Sequence, residues 1–251
     1  MKAIILSAGR GSRLLPLTTD LPKCLLPVGL TTVLGLQLDT LFQAGIEEAV
    51  VVTGFNTALV EAEVARREKG PRVKIVFNPF YQVADNLATC WMVREDMDSD
   101  FIVINGDTLF SPRVLQTVLE APARDITVTI DRKTHYDGDD MKVTLDGDRL
   151  TAIGKTLQAH ETDGESIGML RFMGGGVKTF TDMLEANMRT EQGTTSWYLK
   201  AIDGLAKSGV RIDTTTIEGA TWAELDTPED YEIVRSLFGG ADQTRKRFAV
   251  I

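Results

Sequence analysis

The sequence predicts an α/β fold, a mostly parallel central sheet with helices on both faces, extended by a small β-rich lobe. Three observations predict it. Short apolar runs alternate with longer stretches of helical period through the first half of the chain, the pattern of successive strand–helix–strand units. The first run, Lys2-Ala3-Ile4-Ile5, passes directly into the glycine-bearing turn Ser7-Ala8-Gly9-Arg10-Gly11, where a buried strand must turn toward a helix. After residue 125 the rhythm changes to closely spaced strand-like segments, with Asp146-Gly147 marking a hairpin turn.

Taken in order, strands are predicted over 2–7, 49–53, 73–77 and 101–106, and helices over 34–44, 57–69, 87–96 and 111–120. The last of these opens with Ser111-Pro112, a good cap followed by proline at the first helical position. Strand-like segments at 126–130, 142–145, 149–153 and 167–173 then make the β-rich lobe. Helices follow at 177–190 and 196–207, a strand at 221–225 closes the sheet, and a last helix covers 228–238. Residues 1–238 are read as one domain, with a first half to 124, a lobe over 125–220 and a closing strand and helix over 221–238. The tail from 239 carries Arg245-Lys246-Arg247 and then Phe248-Ala249-Val250-Ile251, either a disordered end or an apolar strap on a second copy in a homodimer.

Composition narrows the function classes. A net charge of −9 argues against nucleic acid as a partner. Residues 1–46 nevertheless hold Lys2, Arg10, Arg13 and Lys23 against Asp20 and Asp39, a local excess of positive charge that suits a small anion. No apolar run has the length of a membrane span and the N-terminus lacks the order of a signal peptide, so the expected location is cytoplasmic. Cys24 and Cys90 show no metal-ligand spacing and are expected to be reduced thiols. His135 and His160 lie in polar contexts and make a poor metal pair.

The turn after the first strand points to phosphate. Gly9 and Gly11 let the backbone approach an anion, the N–H groups of Gly9 to Ser12 can donate to it, and Arg13 and Lys23 supply charge. A glycine pair after a strand is also compatible with a plain tight turn. Two better-known phosphate loops are excluded: Leu14 stands where the dinucleotide fingerprint needs its third glycine, and Arg149 replaces the leading glycine of the P-loop that Gly154-Lys155-Thr156 would end. Asn105-Gly106-Asp107 follows the strand Phe101-Ile102-Val103-Ile104, which puts Asp107 on the rim where open α/β sheets bind ligands, well placed for Mg²⁺ or simply capping a loop. Glu224 and Asp226 lie two apart on one face of a strand, a pairing that invites a cation between them; Thr227-Pro228 offers the plainer reading of Asp226 as a helix cap.

Leu6-Ser7-Ala8-Gly9-Arg10-Gly11-Ser12-Arg13-Leu14 followed by Pro22-Lys23-Cys24-Leu25-Leu26-Pro27-Val28 resembles the nucleotidyltransferase superfamily, which joins an NTP to a phosphorylated small molecule. The resemblance implies the Rossmann-like fold of that family, with Leu6, Ala8, Gly9, Gly11, Ser12, Arg13 and Gly106 around the nucleotide, and Lys23 and Arg13 in catalysis. It makes Asp226, the acid after the strand-borne Trp222, a second metal ligand beside Asp107, and brings Glu224 into consideration. Sugar-1-phosphate members usually carry a glycine-threonine-small run after the third strand. Here Asn78, Tyr81 and Asn86 stand there instead, similar to the bacterial choline-phosphate and phosphonate cytidylyltransferases, which implies CTP; Asn86 is equally suited to capping a helix. In the lobe, Asp140, Lys142, Lys155 and Glu165 resemble the same branch in order and spacing. Lys155 would hold the acceptor's phosphate, Asp140 and Glu165 a cationic head group, and Trp197 and Tyr198 a π-face for it, unless the acids are solvated and the aromatics are core. The expected reaction is Mg²⁺-dependent cytidylyl transfer from CTP to a small phosphorylated or phosphonate acceptor. A sugar- or polyol-1-phosphate transfer from UTP, GTP or dTTP, and a non-catalytic nucleotide sensor, are the alternatives.

Overall fold

The first half of the chain forms elements where apolar runs and helical periods predict them. The computed structural model describes residues 1–240. Strand β1 (Lys2–Ser7) is followed by the short ribbon β2 (Pro27–Val28) and β3 (Thr31–Thr32), then α1 (Val33–Gln43), β4 (Glu48–Thr53), α2 (Thr57–Ala65), β5 (Arg72–Phe77) and α3 (Asn86–Met92). Next come β6 (Phe101–Asn105), β7 (Thr108–Phe110) and α4 (Pro112–Glu120). The second half holds β8 (Ile126–Asp131), β9 (Lys142–Asp146), β10 (Arg149–Gly154), β11 (Gly164–Phe172), α5 (Gly175–Met188), α6 (Tyr198–Lys207), β12 (Asp213–Thr216), β13 (Trp222–Glu224) and α7 (Pro228–Phe238). Among the described residues no helix is long and apolar enough to cross a membrane.

One nine-stranded sheet runs in the order β5-β4-β1-β6-β11-β8-β12-β10-β9. The block β5-β4-β1-β6 is parallel, and β11 joins it antiparallel to β6. Adjacent residues of the parallel strands go to opposite faces. Ile4, Val50, Val52 and Val103 pack under α3, α5 and α6, whereas Ala3, Ile5, Val51, Ile102 and Ile104 pack under α1 and α4. Both faces are therefore apolar, as a parallel sheet covered on two sides requires.

The lobe is continuous with this sheet. Strand β11 pairs with β6, β8 and also β9, so β11, β8, β12, β10 and β9 close into a small ring. Strand β12, which the sequence reading did not anticipate, completes that ring by running parallel to β8. The 221–225 segment does not close the main sheet as expected. It pairs as β13 with β7 in a separate ribbon, Glu224 opposite Thr108. Helix α7 opens with a capping box in which the Thr227 side chain accepts from Asp230 N–H and the Asp230 carboxylate accepts from Thr227 N–H. Thr227 is thus the cap, and the Asp226 side chain is left for other partners. The apolar tail segment 248–251 lies outside the described residues.

Candidate active site

A cleft of about 310 Å³ opens at the carboxyl ends of β1 and β6, lined by Leu6, Ala8, Gly9, Gly11 and Lys23 from one side and Asn105, Gly106 and Asp107 from the other. Gly11 has φ 74°, and a Cβ there would stand 3.0 Å from Lys23 Cβ. Glycine is therefore required both for the turn and for seating Lys23. At Gly106 a Cβ would meet Leu6 O at 2.5 Å, so its bare Cα lets β6 close on β1 at the mouth of the cleft.

Lys23 sits in a short 3-10 turn (Lys23–Leu25), and its Nζ donates to Asp107 Oδ2 at 2.8 Å and Asp226 Oδ1 at 2.6 Å. Arg13 Nη2 donates to Asp226 Oδ2 at 2.6 Å. Two carboxylates separated by 119 positions in the chain, 107 and 226, thereby converge on one ammonium. Burial alone would lower the Lys23 pKa, but Asp107 and Asp226 outweigh it and raise it. Burial likewise pushes Asp226 upward, and Lys23, Arg13 and Lys155 more than reverse that. Asp107 Oδ1 is buried with no hydrogen-bond partner. Glu224 is exposed along the strand, yet desolvation, with Asp107 and Asp226 nearby, pushes its carboxyl up to about 8. Among the described residues no group of three or more His, Cys, Asp or Glu side chains is arranged to hold a metal ion. Cys24 lines the cleft, but burial pushes its thiol up to about 12 and makes it a packing residue.

The other wall comes from 81–89 and 197, with Tyr81, Ala84, Asp85, Asn86, Thr89 and Trp197 lining it. Asn78 corrects the sequence expectation. It is fully buried, its Nδ2 donates to Thr89 Oγ1 at 3.2 Å and its Oδ1 accepts from Phe80 N at 2.8 Å, so its amide holds the loop together and does not face the cleft. Asn86 Oδ1 accepts from Tyr198 N at 3.0 Å, which orients its Nδ2 as the donor left for a ligand. Asp85, which sequence reasoning passed over, begins α3 without a side-chain cap bond and adds a carboxylate to this wall.

The acceptor residues predicted in the lobe divide. Lys155 and Trp197 come together, with Lys155 Nζ 5.4 Å from the ring centroid and 3.3 Å from Asp139 Oδ1. Tyr198 does not present a π-face: it is fully buried and its OH donates to Asn105 Oδ1 at 3.0 Å. Lys142 is buried too, its Nζ donating to the carbonyl of Asp137 at 2.5 Å, and it holds the 137–140 loop in place of an acceptor. Asp140 and Glu165 do receive a cation, but it is Lys133 of the same chain, at 2.8 and 3.0 Å.

Burial, with Asp140 beside it and despite Lys133, pushes Glu165 up to about 7 from 4.5. A carboxyl whose folded pKa is raised stabilises fully below its unfolded pKa and loses that contribution as pH rises through the folded value. Glu165→Gln is therefore expected to reduce the fall in stability that the wild type shows between about pH 5 and pH 8. Urea unfolding of both proteins at those two pH values checks it, and identical pH dependence counts against it.

Residues 2–139 match the family model described as nucleotidyl transferase. CMP-5'-(3-aminopropyl)phosphonate synthase of Streptomyces rubellomurinus is 27% identical over 244 residues, covering 92% of this chain and 37% of that protein. Choline-phosphate cytidylyltransferase of Streptococcus pneumoniae is 33% identical over 110 residues, 44% of this chain and 46% of that protein. The chain thus matches less than half the length of either relative. The structure of the inositol-1-phosphate CTP transferase from T. maritima superposes with a TM-score of 0.80 at 20% identity, covering 95% of this chain and 96% of that one, which shows the shared fold.

Proposed function

This chain belongs to the nucleotidyl transferase family, and on that premise we propose that it is a Mg²⁺-dependent cytidylyltransferase joining CTP to a small phosphorylated or phosphonate acceptor. The observation that carries the proposal is the convergence of the Gly9–Gly11 turn, Lys23 and Asp107 on one cleft at the carboxyl ends of the parallel strands, with Asp226 meeting Asp107 at the Lys23 ammonium. An acceptor oxygen attacks the α-phosphorus, the bond to the bridging oxygen breaks, and pyrophosphate leaves with that electron pair. A phosphate monoester is already largely dianionic at neutral pH, so no protein base is needed.

Catalysis is then positioning and fixed positive charge. Lys23 faces the α-phosphoryl group, while Arg13 and the N–H groups of Gly9 to Ser12 hold the β- and γ-phosphates. Asp107 and Asp226 fit Mg²⁺, because both are oxygen donors that already meet at one cation and Asp107 Oδ1 lacks any partner. Bound there with phosphate oxygens completing its shell, Mg²⁺ would neutralise charge on the triphosphate.

CTP is favoured by the Asp85 and Asn86 pair. A carboxylate accepts from the cytosine N4 amine, and the Asn86 amide nitrogen donates to a ring acceptor. The cytidylyl names of the relatives point the same way. Trp197 and Lys155 form the acceptor side, Lys155 for its phosphate or phosphonate. Pyrophosphate release with CTP, UTP, GTP and dTTP against phosphocholine, aminoalkyl and hydroxyalkyl phosphonates and hexose 1-phosphates tests this. Turnover with CTP and one of the first three acceptors is expected; turnover confined to UTP, GTP or dTTP with a hexose 1-phosphate overturns it.

A further inference from the structure

Asp107 stands in a two-residue turn, Gly106-Asp107, between β6 and β7, and a short turn of that kind has little of its own to hold a carboxylate in one direction. Two backbone bonds hold it, Gly106 N–H to Leu6 O at 3.0 Å and Leu225 N–H to Asp107 O at 3.1 Å, and side chains behind the cleft hold its flanks. Gln37 of α1, only 1% exposed and not among the cleft residues, donates from a single Nε2 to Asn105 O at 3.0 Å and Thr108 O at 2.8 Å. The two carbonyls flank Asp107, so one amide straddles the turn. Tyr198 adds a third point through its OH bond to Asn105 Oδ1, and Thr108 Oγ1 ties the far end to Ile167 O at 2.9 Å. Burial raises the Tyr198 phenol well above its ordinary pKa, so it remains a donor at neutral pH. Tyr198 also reaches the opposite wall, its backbone N–H donating to Asn86 Oδ1.

We propose that Gln37 and Tyr198 are positioning residues for the reaction, fixing the Asn105–Thr108 turn so that the Asp107 carboxylate meets the metal ion and Lys23. Neither touches substrate. The proposal rests on the reading of Asp107 as a metal ligand. Partners that orient a ligating carboxylate typically change metal affinity or activity by about 10- to 100-fold when removed, because the ligand must otherwise be ordered as the metal binds.

The test uses Mn²⁺ as the probe, with affinity measured by electron paramagnetic resonance in the presence of CTP for the wild type, Gln37→Met and Tyr198→Phe. Thermal melting and steady-state kinetics are measured alongside. Tyr198→Phe keeps the ring and its packing, so it reports even where Gln37→Met does not fold. Both variants are expected to bind Mn²⁺ about 10-fold or more weakly, with kcat reduced by a similar factor and KM for CTP moved much less. A residue that only supports the fold would lower the melting temperature and leave Mn²⁺ affinity unchanged. Folded variants that match the wild type in Mn²⁺ affinity and kcat overturn the positioning role alone. A wild-type protein that binds no Mn²⁺ with CTP overturns the metal reading of Asp107, and the proposal with it.

Discussion

Lys23→Ala is expected to lower turnover by about a hundredfold or more while the chain remains folded. The Lys23 side chain is only 12% exposed and its ammonium is the shared counter-ion of Asp107 and Asp226. On the proposed function that charge faces the phosphoryl group in flight, where losing one charge-stabilising donor typically costs about 2.7 to 4 kcal/mol of barrier. The variant should also carry a signature in its stability. Without the ammonium, Asp107 and Asp226 face each other with less compensation, and a divalent cation can take its place. Melting of Lys23→Ala in chelator should therefore occur below the wild type and recover with Mg²⁺ by more than the wild type does. Turnover and paired melting curves measure both effects. Near-normal turnover in the folded variant would remove Lys23 from the chemistry.

How far the sequence reaches is visible in which residues kept their predicted places. Asp107 and Asp226 were legible because each lies just past a predicted strand, and strand ends in an open α/β sheet share one rim, whereas Gly11 and Lys23 were legible through the glycine turn and the Pro22-Lys23 motif. Asn78, Lys142 and Tyr198 are of the same chemical types as ligand contacts, yet their polar groups are taken up by Thr89, by the Asp137 carbonyl and by Asn105. Buried polar groups must find partners, and nothing local in a sequence says whether the partner is a ligand or the protein itself. Lys133 filling the space between Asp140 and Glu165 is the same lesson with charge. Strand β12 escaped notice because Asp213-Thr214-Thr215-Thr216 has no apolar alternation; its pairing with β8 and β10 comes from the closure of the ring. Gln37 did leave a trace. It falls among Leu34, Leu38 and Leu41 on the buried side of α1, and an amide in an apolar stripe needs a buried partner.

Asp226→Cys separates a metal ligand from a mere ion-pair partner. Asp226 accepts from Lys23 and Arg13, and its own N–H donates to Asp230 Oδ2 at 3.0 Å, so the backbone at this point is held by α7 and not by the side chain being changed. The substitution should leave the fold in place. With Mg²⁺, a hard cation that prefers oxygen, turnover is expected to fall by about a hundredfold or more, since a thiolate is a poor replacement ligand. Mn²⁺ or Cd²⁺ tolerates sulfur better, so replacing Mg²⁺ with either should restore a substantial part of the lost rate in the variant while giving no such gain in the wild type. An ion-pair role predicts otherwise: the cysteine would serve Lys23 and Arg13 equally badly with every metal, and the ratio of variant to wild-type rates would not depend on which ion is supplied. Rates for both proteins across Mg²⁺, Mn²⁺ and Cd²⁺ decide between the two. Because the comparison is a ratio of ratios, a general loss of stability in the variant cannot imitate the rescue.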